Sequence, residues 1–433
     1  MATINNTSNK RSNKNTHDHY TAIIVGGGQA GLSMSYYLQK SGIDHLVVEK
    51  STLANAWKDK RWDSFTLVTP NWQCDLPGHP YDGDDPHGFM NRQQINDYLD
   101  RFIVKVNPPA VENTRVIDVS ELPSKQFQVI TTAGTFTADQ VIVSAGGYHD
   151  PIIPPMASEV PNHIHQIHSE QYKNGEELPN GAVLVVGSGQ SGAQIAEDLH
   201  LTGKKVFLAT GDAPRCARFY RGKDVVDWLA EMEYYDMPIQ DHPLREGVRD
   251  NTNHYVTGRD GGRDIDLRQF AQQGMELFGH LTGYDGENVT FSANLVENLN
   301  KADDVYHNIN RRIDNFIEKN NIDAPVEAKY EATWQPTSER EQLNLETSDI
   351  TSIVWCIGFR SNFSFIDIPV FNGRSYPEHT RGITSHPGLY FLGLPWLHTW
   401  GSGRFSGISR DAEFLSQQVA KFCSTKSDEL LSA

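Results

Sequence analysis

Cysteine is scarce in this chain. Cys74, Cys216, Cys356 and Cys423 are the four in 433 residues, and no two stand in a CxxC spacing. That excludes a redox dithiol or a cysteine-based zinc site as the working chemistry, and it suits a reducing compartment. Basic charge is also short, with 38 Lys and Arg against 55 Asp and Glu, for a formal net charge of −17. A nucleic-acid binder would carry the opposite sign. No apolar run approaches the ~20 residues needed to cross a bilayer, so no membrane association is expected. Met1–His19 is rich in Asn, Ser, Thr and Lys and has no apolar core, so it is read as a tail rather than a secretory signal. Ser424–Ala433 is read as a second tail. His163, His165 and His168 have neither zinc-finger nor HExxH spacing, and no metal site is expected. These absences leave a cytoplasmic protein long enough for two or three cored domains.

What is present begins at Tyr20. Thr21–Val25 is β-rich, Gly26-Gly27-Gly28-Gln29-Ala30-Gly31 follows it, and Leu32–Lys40 has helical composition before a break at Ser41-Gly42. His45–Glu49 then reads as a second strand ending in an acid. Strand, GxGxxG, helix and acid-terminated strand form the dinucleotide fingerprint. Gly26 permits the tight turn, Gly28 lets backbone approach a pyrophosphate, and Gly31 lets helix and strand pack closely. Gln29 and Ala30 open the helix, whose N-terminus faces the phosphates. Glu49 lies 18 residues after Gly31, where a carboxylate accepts both ribose hydroxyls.

The unit recurs: Ala182–Val186, then Gly187-Ser188-Gly189-Gln190-Ser191-Gly192, a helix to about Leu201, a stop at Gly203 and the strand Lys205–Ala209. Gln190 and Ser191 are placed beside the coenzyme phosphates. The copies differ at one position, because Thr210 stands 18 residues after Gly192 and is no acid. Arg215, Arg218 and Arg221 follow it. They either clamp a 2′-phosphate or coat a solvated loop. The first reading assigns FAD to the first lobe and NADPH to the second.

Val141–Ala145 with Gly146-Gly147, and Ser352–Trp355 with Gly358, repeat a strand-to-glycine design that returns the chain to each lobe's sheet. Gly388–Gly393 (GLYFLG) is a buried-type strand, and Gly403–Gly407 opens a helix expected over Ile408–Val419. The fold class is therefore α/β, with two Rossmann-type dinucleotide-binding domains and the NADPH domain inserted into a discontinuous FAD domain. The expected boundaries are a tail at 1–19, the first FAD part at 20–160, the NADPH domain at 161–350, the second FAD part at 351–423 and a tail at 424–433. A helical insertion is expected at about 215–334, because Leu295–Lys319 carries apolar residues at 3- and 4-residue spacing.

These residues together resemble class B flavoprotein monooxygenases: flavin-containing monooxygenases, the plant YUCCA enzymes and bacterial CzcO-type flavoproteins. Cys356-Ile357-Gly358-Phe359 stands in place of the family's ATG(Y/F) turn. His168 and Tyr172 keep the His and aromatic of FxGxxxHxxx(Y/F), while Asn162 and Ile164 replace its Phe and Gly; a linker role competes for His168. Asp224–Trp228, Thr252–Arg268 and Pro395–Arg410 resemble a bacterial subgroup encoded beside nitrilase genes. The resemblance implies that FAD and NADPH serve a small-molecule substrate and O2 through a C4a-(hydro)peroxyflavin. A homodimer is compatible with it, and an NADPH oxidase, reductase or slow redox sensor is the rival reading. The resemblance also extends the site. Asn71 is a candidate hydrogen-bond donor at the oxygen site and Trp72 a wall of it, against a plain Pro70-Asn71 turn. Lys50, Trp57, Arg404, Phe405 and Ser406 join the FAD set, as does Arg92, for which a plain helix start competes.

Overall fold

A computed structural model of the chain describes residues 18–432; of the tail expected at 1–19, residues 1–17 lie outside them. Strand β1 (His19–Val25) starts one residue before the expected domain edge, because His19 already pairs with Thr137. Ala22, Ile23 and Ile24 are fully buried, as befits a parallel strand covered on both faces. After helix α1 (Gln29–Lys40), strand β2 (His45–Val48) lies parallel on one side of β1, and β3 (Gly134–Val143) lies parallel on the other. Ala110–Val111 extends the sheet beyond β2. The antiparallel strands Phe127–Thr131 and Val116–Glu121 extend it beyond β3.

The second lobe repeats the plan with β4 (Ala182–Val186), α2 (Gln190–Leu201) and β5 (Val206–Ala209). After the 26-residue helix α3 (Leu295–Asn320), strand β6 (Ile350–Trp355) enters this second sheet beside β4. The order is His165–His168, β6, β4, β5, Glu276–Phe278, all parallel. The boundary expected at 350/351 is thus misplaced. It cuts into β6, whose apolar residues complete the second core, so the crossing back to the first lobe falls after Trp355. The insertion expected to be helical is mixed. Besides α3 it supplies the sheet's edge strand Glu276–Phe278 and the antiparallel pair Leu281–Tyr284 and Asn288–Phe291.

Back in the first lobe, β7 (Leu389–Phe391) pairs in parallel with β3, and α4 (Ile408–Ser432) packs along α1. Tyr37 and Ser409 share a hydroxyl hydrogen bond of 2.9 Å across that seam. The helix expected to stop at Val419 runs through the expected tail to Ser432. No Gly or Pro stands between Ile408 and Ser432 to end it.

One buried carboxylate ties the lobes. Asp198, on α2 and only 3% exposed, accepts hydrogen bonds from the Ser64 hydroxyl of the first lobe, the Tyr172 hydroxyl of the linker and Arg259 Nη1, each at 2.6 Å. Burial, and then the neighbouring carboxylate, push the Tyr172 phenol above its usual range, so it stays a donor. Nearby, His168 Nδ1 accepts from the Glu170 backbone at 3.3 Å, which leaves Nε2–H to donate to the Gly358 carbonyl at 3.0 Å. The kept half of the sequence motif is therefore a strap between linker and lobes. Asp198→Ala leaves Arg259 and two hydroxyls without their acceptor; urea unfolding should show a loss of about 3 kcal/mol. Tyr172→Phe, which removes one donor only, should lose about 1 kcal/mol.

Candidate active site

Both glycine turns are built alike. A Cβ on Gly31 would fall on the Gly26 carbonyl oxygen, and one on Gly192 would fall on the Gly187 carbonyl oxygen. No other residue fits there, so the first turn of each helix is pressed against its strand. The middle glycines face the opposite way: a Cβ on Gly28 would meet no atom within 4 Å, and one on Gly189 would meet only the Thr252 methyl at 3.6 Å. Space is thus kept where a pyrophosphate would sit at each helix N-terminus. Gly146 and Gly358, which end the third strand of each lobe, also border open space.

Glu49 stands beside the first turn, its carboxylate accepting from the backbone N–H of Gly27 at 2.7 Å and of Ser51 at 2.8 Å. Ala30 is buried in the seam, and Lys50 is exposed beside it. The residue after the middle glycine has the same task in both lobes. Gln29 donates to the Gly403 carbonyl at 2.9 Å and accepts from Trp57 Nε1 at 3.1 Å. Gln190 donates to the Val256 carbonyl at 2.7 Å. Each glutamine pins the loop that closes over its own turn. Trp57 stacks on Phe405 with ring centres 4.9 Å apart, which places Arg404–Ser406 beside the N-terminus of α4.

A cavity of about 1550 Å³ opens between the lobes. From the second lobe it is lined by Gly187, Gly189, Gln190, Ser191, Thr210 and Gly358. The first lobe contributes Arg61, Trp62, Phe65, Gly147, Trp396 and Arg404. Sequence reasoning passed over Arg61, although a cation enclosed by Trp57, Trp62 and Phe65 was a readable signal. Its guanidinium lies 4.7 Å from the Trp57 ring centre and 5.4 Å from that of Phe65.

Five expected site residues are placed elsewhere. Asn71 is 3% exposed and spends its amide on the 85–90 loop, donating to the Asp85 carbonyl at 2.9 Å and accepting from Met90 N at 2.7 Å. It is the turn former of the competing reading. Trp72 donates to Asp227 at 2.7 Å and borders a separate outer pocket with His87 and Phe219. Arg92 opens the helix Arg92–Val106 and pairs with Asp63 at 2.6 Å, so the helix-start reading accounts for it. Arg215 and Arg218 were read as either a phosphate clamp or a solvated loop, and they are neither. Arg215 lies against the rings of Tyr306 and Tyr330 and pairs with Asp303 at 2.8 Å, while Arg218 pairs with Asp224 at 2.5 Å. Both are at most 2% exposed, because α3 and the 252–268 loop close over them. Thr210 is buried as well, its hydroxyl donating to the Phe278 carbonyl at 2.7 Å.

Known proteins share this fold. A family model described as pyridine nucleotide-disulphide oxidoreductase matches residues 23–232. The uncharacterized oxidoreductase CzcO of Bacillus velezensis is 30% identical over 403 residues, covering 92% of this chain and 99% of its own. Among solved structures, a flavin-containing monooxygenase from Stenotrophomonas maltophilia superposes with a TM-score of 0.63 at 19% identity, covering 94% of this chain and all of that one. OTEMO, in complex with FAD and NADP, superposes with a TM-score of 0.57 at 15% identity, covering 94% of this chain and 86% of that one. With 30% identity across nearly the whole of both chains, the protein belongs to the CzcO family of oxidoreductases and has the two-nucleotide fold of the class B flavin monooxygenases.

Proposed function

We propose that the protein is an FAD- and NADPH-dependent monooxygenase that inserts one oxygen atom of O2 into a small organic substrate at nitrogen, sulfur or an activated carbon. One observation carries this reading. The second glycine turn and the aromatic end of the first lobe line a single cavity of about 1550 Å³, more than the 300–1,000 Å³ or so of a single-ligand pocket. There is room for a nicotinamide and a substrate together.

The residues fit both dinucleotides. FAD would lie along the Gly26–Gly31 turn, its pyrophosphate in the space beside Gly28 and its ribose against Glu49. The flavin end would reach Trp57 and the Arg404–Ser406 turn. NADPH would lie along Gly187–Gly192, with Gly189 and Ser191 at the pyrophosphate and Gly358 and Thr210 flanking it. Once bound, FAD supplies oxygen-transfer chemistry that side chains lack, with electrons from NADPH. The chain itself orients and encloses: two helix N-termini hold phosphates, Gln29 and Gln190 pin the covering loops, and the Trp57–Phe405 stack keeps water from the flavin end. The buried arginines Arg215 and Arg218 serve the fold rather than the coenzyme.

Heating the purified yellow protein should release FAD, identified by chromatography; FMN or no flavin would sink the proposal. Gly28→Ala should fold normally by circular dichroism, since its Cβ meets nothing, yet lose FAD. Gly189→Ala should keep FAD and raise the KM for NADPH about tenfold, the equivalent of one charge-assisted hydrogen bond. With a true substrate, NADPH and O2 consumption should match oxygenated product; hydrogen peroxide as the sole product would establish the oxidase instead. Arg215→Leu should cost about 2 kcal/mol of stability and leave the KM for NADPH unchanged.

A further inference from the structure

We propose that Arg61 and Arg404 form an anion-binding subsite in the central cavity, and that the substrate held there is a small organic carboxylate. The inference rests on the monooxygenase reading and names its substrate class. Of the six Lys and Arg residues lining the cavity, three are already neutralised: Lys60 pairs with Glu170 at 2.6 Å, Arg374 with Asp250 at 3.0 Å, and Arg249 with Glu246; a fourth, Arg360, is exposed to solvent. Arg61 and Arg404 are different. Among the described residues no carboxylate pairs with either, and their hydrogen-bond partners are neutral. Arg61 donates to the Lys60 carbonyl at 2.9 Å, and Arg404 donates to the Trp400 carbonyl and to Asn253 Oδ1 at 2.9 Å.

Each guanidinium lies over an indole, Arg61 at 4.7 Å from the Trp57 ring centre and Arg404 at 3.8 Å from that of Trp400. A guanidinium engaged through its face keeps N–H donors for other acceptors: of the five on each side chain, Arg61 has spent one and Arg404 two, which leaves donors for a carboxylate on both. The two belong to one neighbourhood. Trp57, beneath Arg61, stacks on Phe405, the residue next to Arg404, and Tyr148 lies within electrostatic reach of both cations. Burial lowers the pKa of Arg61 to about 10, so it remains charged at neutral pH while poorly hydrated. A desolvated cation without a counter-ion is costly, and an incoming anion relieves that cost.

The pyrophosphates of the two coenzymes would lie at the N-termini of α1 and α2, and the 2′-phosphate of NADPH would lie at the adenosine end of that coenzyme. Neither arginine belongs to either dinucleotide fingerprint. An anion beside Arg61 therefore belongs to the substrate, and the rings of Trp62 and Phe65, which line the cavity, suit a planar apolar body attached to it.

The test uses the FAD-loaded enzyme and two probes of like shape, phenylacetate and its neutral amide, phenylacetamide, with binding read from the perturbed flavin absorbance. The acid should bind at least about tenfold more tightly than the amide at low ionic strength, and the margin should shrink in salt. R61Q should bring acid and amide to near parity, with FAD content and the KM for NADPH changed less than about twofold; R404Q should narrow the acid preference likewise, with FAD content read alongside because the Arg404–Ser406 turn borders the flavin end. Equal binding of the two probes by the unmutated enzyme would overturn the proposal. So would Gln variants that raise the KM for NADPH yet keep the acid preference, which would give the arginines to coenzyme phosphate. Should a Gln variant lose FAD, Arg61→Lys and Arg404→Lys decide: a retained acid preference upholds the subsite, and its loss overturns it. Peroxide as the only oxygen product, with acid preference intact, would refute the monooxygenase reading while leaving the anion site standing.

Discussion

The contact on which the site depends is the one between the third glycine of each fingerprint and the carbonyl of the first. Gly31 against Gly26, and Gly192 against Gly187, leave no volume for a side chain. This approach presses the N-terminal turns of α1 and α2 onto β1 and β4, so that their free N–H groups point into the space beside Gly28 and Gly189. An alanine at either third position would push the helix away from its strand. The phosphate cradle and the helix–sheet core would be lost together.

Two such cradles make an enzyme only if they are held at a working distance, and the chain does this with few groups. Asp198 gathers donors from the first lobe, the linker and the 251–268 loop on one carboxylate. His168 holds the Gly358 carbonyl at the turn where the chain leaves β6. Gln29 and Gln190 attach the covering loops to their own turns. These bonds cross long intervals of sequence, and they set the walls of the cavity in which the coenzymes and substrate would meet.

The corrected site residues share a physical cause. Arg215 and Arg218 follow the second fingerprint where a phosphate clamp is expected, but α3 brings Asp303 and Tyr306 over Arg215, and Asp224 neutralises Arg218. Their charge is spent internally. Asn71 is similarly consumed by the backbone of the 85–90 loop. Conversely, Arg61 and Arg404 gain interest because no carboxylate reaches them. Whether a charged residue serves the fold or a ligand depends on whether a counter-charge reaches it, and that is a property of neighbours distant in sequence.

Local signals in the sequence settled the two βαβ units, the close helix–strand packing at Gly31 and Gly192, and the long helix at 295–320. Each rests on spacing within about thirty residues: periodicity, a turn that demands glycine, or a strand ending in an acid. The same local reading placed the lobe boundary within β6, because a parallel strand carries no mark of the sheet it joins. Only the tertiary structure decided that β6 completes the second sheet, that α3 seals two arginines away from solvent, and that Arg61 and Arg404 face one cavity. Those outcomes depend on which distant segments bury the same volume, and hydrogen-bond capacity is allotted among them only once the chain has packed.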